Sequence, residues 1–279
     1  AIFGLTMFAL NMALIILIRI LIRVFHFSID SGKRFCISIA NFGFRFLLFA
    51  FGIVYIKKNG HFNDETRIII SNHTAYVDPM IISCVHPLTV VMKAEISKNY
   101  FVKLLMEIVD PVYVDRSAHT GASQQIIEHA NNFKRNPVLI FPEATLNNGD
   151  HMLHFHRGAF LTKQKVQPFC LRYWQPLVPH RWNQYAWTET SLPLYLFEVT
   201  AMPFTFVSVD ILDPITLDVK GNGDVETFTT KAQLIMANHL GIKAITRSSD
   251  EIFMKIKAER QQRKQQQQQQ QQQAKEKKK

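Results

Sequence analysis

The sequence predicts an α/β fold: a mostly parallel central sheet flanked by helices, with an N-terminal hydrophobic helical membrane anchor. Three observations predict it. From residue 66 onward, short β-branched runs alternate with polar, helix-like stretches. The polar residues able to do chemistry fall just after those runs, at the strand ends where such sheets hold their ligands. Ahead of them, residues 1–18 carry no charge and are almost wholly apolar.

The runs that predict strands are Arg67–Ile70, Thr89–Met92, Pro111–Val114, Pro137–Phe141, Val166–Leu171 and Phe204–Val209. Gly121–Arg135 reads as a helix between two of them, and residues 226–258 as two closing helices. The chain has 279 residues, 47% of them hydrophobic, ample for a large core.

The uncharged opening stretch is long enough to cross a bilayer, which needs about 20 apolar residues. It lacks the basic start and small-residue cleavage site of a signal peptide. A second apolar stretch, Phe35–Ile56, contains Asn41 and Arg45. A central arginine costs about 2.5–3.5 kcal/mol to insert, so this stretch is expected to lie in the interface or to dip in and return. Lys33 and Arg34 precede it and Lys57 and Lys58 follow, and basic flanks favour the cytosolic side. The expected organisation is membrane-anchoring hydrophobic helices over 1–58, an α/β domain over 59–258, and a low-complexity polar and basic tail over 259–279.

The net charge is +10, and the tail carries +5 of it. A basic body suits an anionic ligand or an anionic membrane face. No helix-turn-helix, zinc-finger or aromatic RNA-reading pattern is present, which argues against a nucleic-acid partner. Cys36, Cys84 and Cys170 are odd in number and far apart, so neither a disulfide framework nor a zinc site follows.

Candidate chemistry begins at Ser71-Asn-His-Thr-Ala-Tyr-Val-Asp-Pro79. His73 falls just past a strand. Asp78-Pro79 reads as a helix N-cap followed by proline at the first helical position. A turn between them can bring the carboxylate to one imidazole nitrogen while the other faces a cleft. A neutral imidazole can take a proton from an attacking alcohol, worth typically 10²–10⁴ in rate. The carboxylate would fix the tautomer and stabilise the imidazolium. Asp115-Arg116 follows a second strand, where the arginine offers a planar fork for phosphate. Phe141-Pro-Glu-Ala-Thr145 puts Glu143 and Thr145 after a third.

Taken together these motifs resemble the glycerolipid acyltransferase superfamily, of the 1-acylglycerol-3-phosphate acyltransferase type. Its Asn-His-x4-Asp motif matches Asn72, His73 and Asp78, and its second motif ends in an arginine matching Arg116. Phe-Pro-Glu-Gly-Thr matches Phe141, Pro142, Glu143 and Thr145, and an apolar strand with proline matches Val166-Gln-Pro168. The segments Phe155–Phe160, Val166–Tyr173 and Met236–Ile242 look most like the lysophosphatidylcholine acyltransferases.

The resemblance implies His73 as general base, Asp78 as its orienter, and Arg116, Glu143 and Thr145 in acceptor binding, with Arg157 adding a cation for phosphate. It implies acyl-CoA as a co-substrate, no bound cofactor, a lysophospholipid acceptor (lysophosphatidylcholine first), and a membrane location at the endoplasmic reticulum with the site facing the cytosol. Rival readings are a lysophosphatidic acid or glycerol 3-phosphate acceptor, a catalytically dead membrane-binding module, and a thioester hydrolase. One departure stands out: Ala144 occupies the family's glycine position. Glycine lets the backbone approach a ligand closely or take positive φ, and alanine can manage a close approach only if φ is negative.

Two other patterns fail their ligand tests. His151, His154 and His156 lack a complete set of zinc ligands. Asp218–Glu226 has Lys220 at the third position of a calcium loop and Thr229 where a bidentate glutamate belongs. Trp174, Trp182 and Trp187 fit either a membrane–water boundary or ordinary packing.

Overall fold

The computed structural model describes residues 43–94, 111–114, 121–133, 135–162, 164–176, 204–217 and 224–252, and isolated positions 6, 13, 98, 194, 195, 198, 199 and 254. The opening apolar stretch (apart from Thr6 and Ala13), Arg116, Trp182, Trp187 and the basic tail lie outside the described residues.

Seven strands form the central sheet: β1 (Ile53–Asn59), β2 (Ile68–Ser71), β3 (Thr89–Lys93), β4 (Val112–Val114), β5 (Val138–Ile140), β7 (Val166–Trp174) and β8 (Thr205–Ile211). Their order is β1-β8-β7-β2-β5-β3-β4. Every neighbouring pair is parallel except β7 with β8. The mostly parallel sheet expected from the alternating runs is therefore present. A two-residue ladder pairs β6 (His151–Met152) with β9 (Lys243–Ala244).

Helices cover both faces. On one face α1 (residues 43–50) and α2 (Asp78–Val85) pack with Ile69, Phe169, Leu171, Tyr173 and Val207. On the other, α3 (Gly121–Asn131) and α4 (Val225–Leu240) pack with Ile68, Ile70, Val138 and Cys170. The central strands β2 and β5 are buried on both sides, which is why they read as unbroken Ile/Val/Leu runs. Each fully buried Ile, Leu or Phe contributes about 1.5–3 kcal/mol.

The second apolar stretch differs from its expected place. Phe44, Leu47, Leu48 and Phe51, spaced by three and four, are buried in the core, so α1 is a core helix over its described residues. Arg45, the charge that opposed membrane insertion, donates to the Cys84 carbonyl at 3.0 Å, in the last turn of α2. Residues 53–58 form most of edge strand β1, so the boundary expected after residue 58 falls inside a strand of the sheet. Hydropathy ran the helix and strand together because both are apolar. Among the described residues no helix is long and apolar enough to cross a membrane.

Two devices fix the loops. Gly60, at φ +83°, follows β1 where a Cβ would sit 2.2 Å from the Ile211 carbonyl oxygen; only glycine fits. Arg67 reaches the carbonyls of Ala130, Asn132, Arg135 and Asn136 and so caps the carboxyl end of α3. The closing region divides into α4, which ends on Gly241 at φ +70°, then β9 and helical residues 249–252.

Candidate active site

Asn72 makes the site possible. Beyond Ser71 its side chain, in place of backbone, exchanges both hydrogen bonds with Leu171 of β7: Nδ2 donates to the carbonyl at 3.1 Å and Oδ1 accepts from the amide at 2.8 Å. The ladder is continued by a side chain, so the main chain is free to turn away. His73 emerges from that turn.

The turn closes on Asp78. Its Oδ2 accepts from the amides of Thr74 at 2.8 Å and Ala75 at 2.9 Å, and lies 2.9 Å from His73 Nδ1. Asp78 is the first residue of α2, with Val77 as N-cap, one residue later than the expected capping position. Its carboxylate serves the preceding loop and the imidazole instead of capping the helix. Tyr173 donates from its phenol to Oδ1, and Asp78 is fully buried.

These partners dictate the proton positions. Backbone amides only donate, so Oδ2 must accept, and His73 must carry its proton on Nδ1. In the neutral imidazole this leaves the lone pair on Nε2. The ring stacks on Phe141, with centroids 3.9 Å apart and planes 18° apart, which fixes its orientation.

Phe141 opens the second segment. β5 runs parallel to β2 with Ile140 opposite Ile70, so the chain beyond each strand leaves the same edge. Asn147 ties the two segments together: its amide donates to the His73 carbonyl at 3.0 Å, and its side chain donates to Glu143. The Leu153 amide donates to the same Glu143 oxygen at 2.9 Å. Glu143 is fully buried. Burial pushes its carboxyl up to about 8, against the amides of Leu153 and His73 and the Asn147 side chain, which lower it. Glu143, expected to take part in acceptor binding, is buried, and its hydrogen bonds tie the 141–153 loop to the His73 segment.

Ala144 sits at φ +60°, so the condition under which alanine replaces glycine without strain, a negative φ, is not met. Its amide donates to the Phe141 carbonyl at 3.0 Å, closing a tight turn whose geometry favours glycine. Thr145 is half-buried and donates to the neighbouring Leu146 carbonyl at 3.3 Å.

Arg157 lies farther along. The His156 amide donates to the Pro142 carbonyl at 2.8 Å, and Arg157 then begins a 3-10 turn. Its side chain is two-thirds exposed and its Nε lies 3.8 Å from Glu226 on α4. An exposed pair of this kind holds the guanidinium loosely. His154 pairs with Glu226 at 3.2 Å, and His156 bonds Ser249 at 2.9 Å.

His73, Asp78 and Glu143 are thus assembled at one sheet edge, with Thr145 on the same loop. β4 ends two residues before Arg116, whose own position lies outside the described residues. Tyr173 and Asn147 were not anticipated. Tyr173 shares a strand face with the core residues Phe169 and Leu171, a period-two signal that pointed to packing and not to a carboxylate partner. A cavity of about 570 Å³ lies between β8 and α4, lined by Ile211–Thr216, Lys231, Ile235 and His239. It contains none of these site residues.

Residues 53–179 match the Acyltransferase family. The chain is 25% identical over 221 residues to lysophospholipid acyltransferase LPEAT2 of Arabidopsis thaliana, covering 77% of this chain and 40% of that one. It is 26% identical over 209 residues to lysophospholipid acyltransferase LPCAT4 of Mus musculus, covering 72% and 39% respectively. The chain thus spans about 40% of the length of these relatives. A crystal structure of the 1-acyl-sn-glycerophosphate acyltransferase PlsC from Thermotoga maritima shares the fold: the TM-score is 0.59 at 18% identity, over 86% of this chain and 94% of that one.

Proposed function

We propose, from the premise that this chain belongs to the glycerolipid acyltransferase superfamily, that it transfers a fatty acyl group from acyl-CoA to a lysophospholipid hydroxyl, with lysophosphatidylcholine as the preferred acceptor. The observation that supports this most is the His73–Asp78 pair, 2.9 Å apart, at the carboxyl edge of the parallel strands. The relatives named as lysophospholipid acyltransferases support the acceptor class.

In this reading Nε2 of His73 accepts the acceptor hydroxyl proton as the oxygen attacks the thioester carbonyl. A tetrahedral oxyanion forms, then collapses as the carbon–sulfur bond breaks. The imidazolium returns its proton to the departing CoA thiolate. Asp78 holds the Nδ1–H tautomer and faces the positive charge that develops. No enzyme nucleophile takes part. Arg116 and Arg157 are proposed to bind the phosphate, and Thr145 the acceptor. Glu143 and Asn147 keep Phe141 stacked on the base. The residues before α1 are proposed to anchor the chain on the cytosolic side of the endoplasmic reticulum membrane, consistent with the basic pair Lys33 and Arg34.

The test is an acceptor panel with the purified chain and a few acyl-CoAs. Lysophosphatidylcholine should outcompete lysophosphatidic acid and glycerol 3-phosphate. Preference for a phosphomonoester overturns the acceptor choice, fatty acid release independent of acceptor indicates a hydrolase, and the absence of transfer with every donor indicates a binding module.

A further inference from the structure

Three aromatic rings line up across the corner of the sheet formed by β1, β8 and β7. Tyr55 is opposite Phe206, and Phe206 opposite Trp174, with ring centroids 6.4 and 5.0 Å apart. This face is the one that α4 covers farther down, where Arg172 donates to the His239 carbonyl. The helix ends there, and among the described residues nothing covers the corner beyond it: Tyr55 and Trp174 are each 55% exposed. Phe204, just before β8, is 56% exposed and held at φ +63°, an unusual conformation for a bulky residue.

The next row on the same face is Lys57–Ser208–Arg172, with both cations exposed. The row after that contains Asp210, whose carboxylate is taken by Asn59 at 2.5 Å and His239 at 2.9 Å. The corner therefore presents aromatic rings bordered by cations, with its only carboxylate in these rows already engaged. Aromatic rings seat at the bilayer headgroup level, and cations beside them meet anionic headgroups.

The corner also has a consistent position. β7 is parallel to β2, and Tyr173, which bonds Asp78, directly precedes Trp174. The aromatic row thus lies at the same carboxyl edge as His73, on the opposite face of the sheet. β1 enters from this edge, following in sequence the apolar N-terminal residues.

We propose that the Tyr55–Phe206–Trp174 row, with Phe204, Lys57 and Arg172, docks on an anionic lipid bilayer and sets the His73 edge at its surface. The proposal deepens the lipid-acceptor reading above and rests on it only in placing the substrate in a bilayer.

The test uses the full chain with Trp182→Phe and Trp187→Phe, leaving Trp174 as the sole indole, added to vesicles of phosphatidylcholine with and without phosphatidylserine. Trp174 emission should shift to the blue and be quenched by lipids brominated near the headgroup end of the acyl chain, more strongly with phosphatidylserine present. Replacing Lys57 and Arg172 by glutamine should lower the docked-to-undocked ratio about thirtyfold, at about fivefold for each cation. If that background does not fold, hydrogen exchange of β1 in the wild-type chain replaces it, and vesicles should slow exchange over residues 53–59.

An indole that stays water-exposed on vesicles, or unchanged β1 exchange, overturns the proposal. So does a blue shift without lipid that grows with protein concentration, which would assign the corner to a second copy. The readout is contact and not turnover, so a docked but inactive protein would support this surface and overturn the acyl-transfer reading.

Discussion

The Tyr173 phenol donates to Oδ1 of Asp78, on the oxygen that His73 does not use. The carboxylate is therefore held from the loop side by two amides and from β7 by a side chain 95 residues away in sequence. The imidazole is oriented by the core of the sheet as well as by its own loop.

Tyr173→Phe should cost about 1–3 kcal/mol of stability by leaving a buried carboxylate oxygen unpaired. It should lower kcat with little change in KM for acyl-CoA, since Tyr173 acts through Asp78. Denaturant unfolding and steady-state kinetics on one preparation check both. A fall confined to KM would contradict the positioning role.

His73→Ala should reduce acyl transfer by at least 10²–10⁴. Asp78→Asn should reduce kcat by on the order of 10⁴, because an amide facing Nδ1 favours the wrong tautomer. Single-turnover assays with saturating donor test the pair. Unchanged transfer in His73→Ala would falsify the proposed mechanism.

Glu143 gives stability a pH dependence of defined sign. Its carboxyl rises from 4.5 when unfolded to about 8 when folded, because burial disfavours the charge. The folded state therefore binds the proton more tightly. The contribution is complete below 4.5 and is lost as pH rises through 8. Unfolding midpoints of the wild type should fall between pH 5 and pH 8, and Glu143→Gln should flatten that slope.

Ala144→Gly should stabilise the protein by about 1 kcal/mol, raising Tm by about 2–4 °C, because alanine at φ +60° is strained and glycine is not. Ala144→Val should move Tm the other way. Thermal melts of the three proteins provide the comparison.

The sequence made the sheet legible where its physics is local. β2, β3, β4 and β5 stand out as β-branched runs between turn residues, and His73 and Glu143 as polar residues just beyond two of them. β1 was hidden because only a two-residue turn, Phe51-Gly52 with Gly52 at φ +79°, separates its apolar half from α1, and hydropathy does not separate a buried helix from a strand. The Tyr173–Asp78 contact was illegible because it depends on strand order, which no local pattern encodes. The positive φ of Ala144 was signalled only by the family glycine at that position, since alanine itself carries no signal for a left-handed turn.

β7 pairs with β2 only as far as Phe169, opposite Ser71, but runs on to Trp174 against β8. The top of the sheet is consequently stepped, and the His73 turn sits in the inner corner of that step. One wall of the corner is hydrogen-bonded strand, which cannot shift without breaking its ladder to β8. On the function proposed above, accommodation of acceptors of different shape would fall to the opposite wall, the tight turn around Ala144.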